Sequence, residues 1–350
     1  MENINLTSFQ KMFKNAFARG EILTPNSFGH DSLIHRWYQH VTEQQFLYEL
    51  IEDETQEINF HRSNIIERVT SNRKSNLEIS HLNLEWVDLE LSFQVMCYQK
   101  GIQWNYKKPF ASFGMTLKEC SDFNLRITLL HPTLCPHHQW KSFIRILKNN
   151  TTELGNNDII LKGDHGKNWI QGKKNILIAG PTKSGKTTLL KNLARFVENQ
   201  EHLVILEDTH ELQLAHAKTT YFLAQDTQEG SIEEQLKLFC SHAMRISPDR
   251  IFLGEMRGPE VAPFLLLMNS GHRGLMSTIH ANSAVDAIHR AALLFCLYQK
   301  GNNISFDQAL KLVAKNIDLV CYLEDLKVKE VITINGCDRG QVFFETLINE

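Results

Sequence analysis

The sequence predicts an α/β protein: a phosphate-loop nucleotide domain on a parallel sheet, preceded by a smaller α+β N-terminal domain. Three observations predict it. Gly180-Pro-Thr-Lys-Ser-Gly-Lys-Thr187 fits G-x-x-x-x-G-K-[ST] at every fixed position. An apolar run, Asn175-Ile-Leu-Ile-Ala179, reads as a buried strand leading into it, and Thr188-Leu-Leu-Lys-Asn-Leu-Ala-Arg-Phe196 reads as a helix leading out. From Ile159 to the C-terminus, strand-like and helix-like runs alternate as a parallel sheet requires.

The loop residues follow from what they must hold. Gly180 and Gly185 let the backbone wrap closely, so that the N–H groups of Pro181-Thr182-Lys183-Ser184 and their neighbours can turn inward at a helix start. Proline itself has no N–H to offer. Lys186 brings a point charge to the β/γ-phosphates, the Thr187 hydroxyl can ligate Mg²⁺, and Thr188 continues the first helical turn.

The later strands carry acidic ends. Leu203-Val-Ile-Leu206 runs into Glu207-Asp208-Thr-His-Glu211, and carboxylates at the C-terminal end of such a strand lie at the ligand crevice. There they can hold Mg²⁺ or orient a water. The competing reading is a helix cap, with Asp208 or Thr209 at the N-cap and Glu211 near the helix dipole. Arg250-Ile-Phe-Leu-Gly254 is a third strand, and Glu255 after it is the candidate contact to water or Mg²⁺. His272 and His280, eight residues apart among small and polar residues, are unusual for core packing. His280 follows an apolar run and is the candidate γ-phosphate sensor.

These elements in this order resemble the secretion ATPases of the type II/type IV secretion and pilus-assembly superfamily. The resemblance rests on the phosphate loop, Glu207-Asp208-x-x-Glu211-Leu212, Gly254-Glu255-x-Arg257-Gly258, and Gly271-His272-x-Gly274 with Thr278-Ile-His280-Ala-Asn282. It is strongest over residues 172–295. Glu207–Leu214 and Met244–Arg250 look closest to the Tad-pilus assembly ATPases, with the type IV secretion ATPases second. The resemblance implies a RecA-like domain that hydrolyses ATP with Mg²⁺, with Lys186, Glu207, Glu211, Glu255 and His280 in catalysis. Thr187, Asp208 and Glu255 would stand at the metal, and Arg257 and His272 at the nucleotide. It also implies a hexamer on the cytoplasmic side of an inner-membrane platform, peripheral through partners.

Arg126 in Asn124-Leu-Arg126 and Arg145 in Phe143-Ile-Arg145 are similar to the family's arginines at the end of its N-terminal domain, which lie at the nucleotide. Arginine suits phosphate because its planar fork binds oxygens bidentately. Two arginines on solvated strand edges is the other reading. Tyr48–Glu52 and Glu57–Phe60 are expected as the first strands of that domain, although the family's Gly-rich turn is missing between them. Lys183 stands where the family usually has a small residue.

At 350 residues with 42% apolar content, two cores can be filled. The net charge of -3 argues against bulk electrostatic binding of nucleic acid, and so against a helicase. A non-hydrolysing assembly subunit is the other alternative. Seven scattered cysteines without a C-x-x-C pair read as thiols of a reducing, cytoplasmic compartment, and no run reaches the roughly 18 apolar residues of a membrane span. His131, Cys135, His137 and His138 lack the second half of a metal pattern.

The expected organisation is a helical leading segment over 1–40, an α+β domain over 41–148, a turn-rich linker over 149–158 and the ATPase domain over 159–350. Phe9, Met12, Phe13, Ala16 and Phe17 make an amphipathic helix with basic residues around it. It is expected to cover the N-terminal domain, with a membrane or partner surface as the alternative. Further on, a helix is expected near 84–100, a Ser305-capped helix over 305–314, and strands at 319–323 and 328–334.

Overall fold

The computed structural model describes residues 5–25, 32–63, 65–70, 73–117, 123–135, 137, 139–148, 160, 164–225, 231–299 and 304–349. The chain divides into two compact units, Met1–Leu147 and Lys148–Glu350. The expected linker at 149–158 lies outside the described residues.

The first unit runs α1 (Leu6–Phe17), α2 (Ser32–Thr42), α3 (Gln45–Leu50), β1 (Thr55–Arg62), β2 (Ile65–Thr70), β3 (Lys74–Asn76), α4 (Trp86–Gln99), β4 (Phe110–Thr116), β5 (Phe123–Leu130) and β6 (Lys141–Lys148). Its six strands lie in the order β3-β2-β1-β6-β5-β4. Asn5 caps α1 by accepting the Ser8 N–H at 2.9 Å. The Phe9/Phe13/Ala16 face of α1 is buried, with Phe13 edge-on to Trp37 of α2 at 5.4 Å between ring centroids. The amphipathic stripe therefore packs a core.

Helix α4 is apolar on two sides, so it lacks the single stripe of a surface helix. Leu89, Phe93 and Met96 join Ile58, Phe60, Trp140 and Ile144 of the sheet core. Leu91 and Val95 join Phe9, Phe13, Ile34, Trp37 and Val41. Residues 1–40 are thus part of this unit and not a separate leading segment. The strand expected over Tyr48–Glu52 is instead the end of α3, because Phe46, Leu47 and Leu50 face one core at helical spacing.

His40 of α2 is 1% exposed, and Nε2 lies 3.8 Å from the Glu49 carboxylate. Burial pulls its pKa below 6.5; Glu49 works the other way, and Arg36 and His81 add to the lowering. The folded protein therefore binds fewer protons at this site than the unfolded chain. That stability is complete above about pH 6.5 and is lost as pH falls toward the folded pKa. Melting temperatures compared at pH 7.5 and 5.5 should drop on the acid side, and by less in His40→Leu; an equal drop in both proteins excludes His40 as the source.

The second unit runs α5 (His165–Gln171), β7 (Ile176–Ala179), α6 (Lys186–Ala194), β8 (Leu203–Glu207), β9 (Thr219–Leu223), α7 (Ile232–Ala243), β10 (Arg250–Leu253), α8 (Val261–Asn269), β11 (Met276–Ile279), α9 (Ala284–Tyr298), α10 (Phe306–Asn316), β12 (Leu319–Glu324), β13 (Lys327–Asp338) and β14 (Gln341–Asn349). The sheet order is β14-β13-β12-β7-β11-β10-β8-β9. Every residue of β7, β8, β10 and β11 is buried, as expected of strands covered on both faces. Alternation sorts them: Leu177 and Ala179 face the core built with α7 to α10, while Ile176 and Ile178 face the one built with α5 and α6.

Strands β9, β8, β10, β11, β7 and β12 are parallel along the sheet, but β13 and β14 are antiparallel, so the sheet is mixed. The turn chemistry explains the departure from a purely parallel sheet. Asp325 and Leu326 both have positive φ, 48° and 62°, and Arg339-Gly340 repeats this at 47° and 78°. Such two-residue turns join only antiparallel neighbours. Ser305 and Gln308 form the capping box of α10. No helix among the described residues is long and apolar enough to cross a membrane.

Candidate functional site

The parallel register brings four loops to one edge of the second unit. Strand β7 ends at the phosphate loop, β11 at His280, β10 at Gly254-Glu255, and β8 at Glu207, and these strands are consecutive in the sheet. The loop backbone is held in a conformation that glycine alone tolerates: Gly180 has φ 152°, and a Cβ there would lie 2.2 Å from the Leu323 carbonyl and 2.6 Å from Ser184 Oγ. Gly185, with φ 93°, is the N-cap of α6. Lys183, exposed at the tip, has φ 64°, which explains why a small residue is the ordinary choice there.

Lys186 is 8% exposed, and its Nζ donates to the carbonyls of Gly180 at 3.0 Å and Pro181 at 2.7 Å. Ser184 Oγ is buried without a hydrogen-bond partner. A lysine cation, an orphaned hydroxyl and a helix N-terminus opening on a left-handed glycine fit a polyphosphate. The Thr187 and Thr188 hydroxyls sit half-buried in the first turn of α6, where a Mg²⁺ bound to such a ligand would be met.

The other loops are wired to this one. Lys186 Nζ lies 3.4 Å from His280 Nδ1, and His280 Nε2 lies 3.0 Å from Glu255 Oε1. The network fits the tautomer in which Nε2–H donates to Glu255 and Nδ1 accepts from the lysine. Thr278 Oγ1 donates to the Gly254 carbonyl at 2.7 Å, and Met256 N–H donates to the Thr278 carbonyl at 2.8 Å, fixing the β10 and β11 ends together. Arg257 is ion-paired with Asp208, joining the β10 loop to the acidic loop. Burial disfavours the guanidinium charge, but Asp208, with Glu255 and Glu260, outweighs it and raises the Arg257 pKa.

The acidic loop forms no helix, so the capping alternative does not apply. Glu207, 4% exposed, is consumed internally: Oε2 accepts the N–H groups of Glu211 at 3.1 Å and Leu212 at 3.0 Å, and Oε1 lies 2.9 Å from His210 Nδ1. The His210 ring stands edge-on to Tyr221 at 4.6 Å. Glu207 therefore shapes the loop, leaving Glu211 as the half-buried carboxylate of the pair. Lys191, one turn and a half into α6, has its pKa lowered by burial against the opposing charges of Glu211 and Glu207. His210 and Lys191 were missed by the sequence reading. A histidine inside an acidic loop and a lysine two turns from a phosphate loop were the available signals.

Several expected residues lie elsewhere. His272 and Gly274 precede β11 and stand at the opposite edge of the sheet from the phosphate loop, since β11 is parallel to β7. Gly274 is there for space: its φ is 72°, and a Cβ would lie 2.6 Å from Arg250 Nη1. Arg250 starts β10 at that same far edge, 2% exposed, donating to Glu201 at 2.7 Å and to the Ile170 carbonyl at 2.8 Å. Exposed Arg245, five residues upstream, enters β10 from that side too. Arg126 on β5, opposite Gly114, and Arg145 on β6, opposite Glu57, are half-buried on neighbouring strands of the first unit. His131 Nδ1 accepts the Thr133 N–H at 3.3 Å, a turn cap. No group of three or more metal-binding side chains occurs among the described residues, and His138 lies outside them.

The family model of the type II/IV secretion system protein matches residues 42–342. The chain belongs to that family. Among curated relatives, the type IV secretion system protein VirB11 of Bartonella quintana is 28% identical over 236 residues, 66% of this chain and 65% of that one. PtlH, a type IV secretion system protein of Bordetella pertussis, is 37% identical over 161 residues, 44% of this chain and 46% of that one. VirB11 of Bartonella henselae is 32% identical over 164 residues, 47% and 46% of the two chains. The alignments thus span from about half to about two thirds of these relatives. In fold, the chain is similar to the pilus retraction motor PilT with bound ADP, at TM-score 0.59 and 18% identity, covering 87% and 82% of the two chains. It is similar to the Legionella pneumophila ATPase DotB at 0.55 and 13%, covering 87% and 78%. The secretion-family fold thus comprises the RecA-like unit and the N-terminal unit described above.

Proposed function

We propose that this chain is an ATP-hydrolysing subunit of a hexameric ring motor, acting on the cytoplasmic side of a membrane secretion or pilus machine. The observation that carries this is the continuous link from Lys186 through His280 to Glu255 beside the loop. It supplies a phosphate-binding cation, a residue that can respond to the γ-phosphate, and a carboxylate that can orient water. Mg²⁺, held at Thr187 with Glu255 and Asp208 on its far side, would neutralise charge on the phosphates. Lys186 would exchange its loop carbonyls for phosphate oxygens, and Glu255 would accept the proton of the attacking water. The relatives found favour type IV secretion over Tad-pilus assembly, and an inner-membrane platform is the partner we expect.

The ring follows from charge. Arg250 is committed to Glu201, and Arg257 is paired with Asp208. Arg126 and Arg145 are therefore the arginines we assign to the phosphates, from the same or a neighbouring protomer. Lys186→Ala protomers mixed into wild type should depress ATPase activity more than dilution does, and light scattering in ATP should show six copies. A strictly linear loss, with a monomer in saturating ATP, sinks the ring.

A further inference from the structure

The loop from Gly254 to Glu260 carries both Glu255 and Arg257, yet it has no helical or strand hydrogen bonds of its own to hold it. What holds it is Glu260. This side chain is 0% exposed at the start of α8, and Oε1 accepts the N–H groups of Arg257 at 2.7 Å and Gly258 at 2.8 Å. The second oxygen, Oε2, is buried without a hydrogen-bond partner. The turn is tight around it: a Cβ on Gly258 would lie 2.9 Å from Oε2 and 3.3 Å from Glu233 Cγ of α7. Burial raises the Glu260 pKa against those N–H donors, so the site holds a carboxyl at a cost that only a fixed geometry justifies.

Glu207 does the same for the preceding loop, and the Arg257–Asp208 pair joins the two. We propose that Glu260 is the positioning residue of the site: by gathering the N–H groups of Arg257 and Gly258, it aims Glu255 at His280 and Arg257 at Asp208. The inference rests on the ATPase reading for its kinetic arm and is independent of it for its structural arm.

One oxygen suffices for both N–H groups, so Glu260→Gln should preserve the geometry and Glu260→Ala should lose it. In the intact protein, Glu260→Ala should lower kcat by about tenfold or more while mant-ATP binds within about threefold of wild type. Glu260→Gln should stay within about threefold of wild type in kcat. The His280 imidazole NMR signals should move in Glu260→Ala and hold in Glu260→Gln, a comparison that needs no turnover. A wild type that binds mant-ATP but releases no phosphate defeats the ATPase reading alone, and the histidine signals then decide the role of Glu260. Unmoved His280 signals in the alanine variant overturn the proposal, as do equal losses of binding and turnover in both variants.

Discussion

Lys186→Ala is expected to abolish measurable ATP hydrolysis and to weaken nucleotide binding by about 10- to 100-fold. Charge-assisted hydrogen bonds contribute about 1.5–3 kcal/mol each, and losing one preorganised donor in a transition state typically costs about 10²–10³ in kcat. The lysine bridges the Gly180 and Pro181 carbonyls and the His280 ring, so its removal also cuts the link between phosphate loop and β11. Isothermal titration with a slowly hydrolysed ATP analogue, beside a phosphate-release assay, reads both effects. Full activity in this variant overturns the site.

Glu255→Gln should behave differently, with binding retained within about threefold and kcat reduced by about 100-fold or more. The amide oxygen can still accept from His280 Nε2–H, so the 3.0 Å contact and the loop survive. The neutral group cannot take a proton from water. A loss of affinity equal to the loss of turnover would assign Glu255 to binding. Normal turnover would return the role to Glu211.

Much of the catalytic edge was legible because phosphate binding is encoded in contiguous residues. Gly180, Gly185 and Lys186 are adjacent in the chain, and the strand before them fixes where they point. The carboxylate and histidine loops were legible for the same reason, as each follows an apolar run. His272 shows the limit. Eight residues suggest closeness to His280, but β11 occupies four of them at roughly 3.3 Å per residue. The two rings therefore belong to opposite edges. The same geometry moves Arg245 and Arg250 away from the phosphates.

Other failures have other causes. Tyr48–Leu50 is a short apolar run, and such runs do not distinguish a strand from a helix turn by periodicity. Glu207 and Asp208 are neighbours with equal chemistry, and only the chain's return at Glu211 and Leu212 decides which of them is consumed. Glu260 looks like an ordinary helix-start acid until its burial is known. The antiparallel end of the sheet was hidden in Asp325-Leu326, where neither residue advertises a left-handed turn.

The placement of β7 bears on how the protein is made. This strand is the first of its sheet to leave the ribosome, yet its neighbours are β11 and β12. Asn175, at its start, accepts the Leu275 N–H from 100 residues onward and receives its own N–H partner, Asp318, from 143 residues onward. Pairings so distant in sequence are slow to form, because loop closure must precede them. An apolar strand and the loop that follows it must therefore wait, unpaired, through most of the synthesis of their own unit. A pause or truncation between Gly180 and Asp318 would leave that strand open to sticking to others like it. Nucleotide-binding competence arises only near the end of translation.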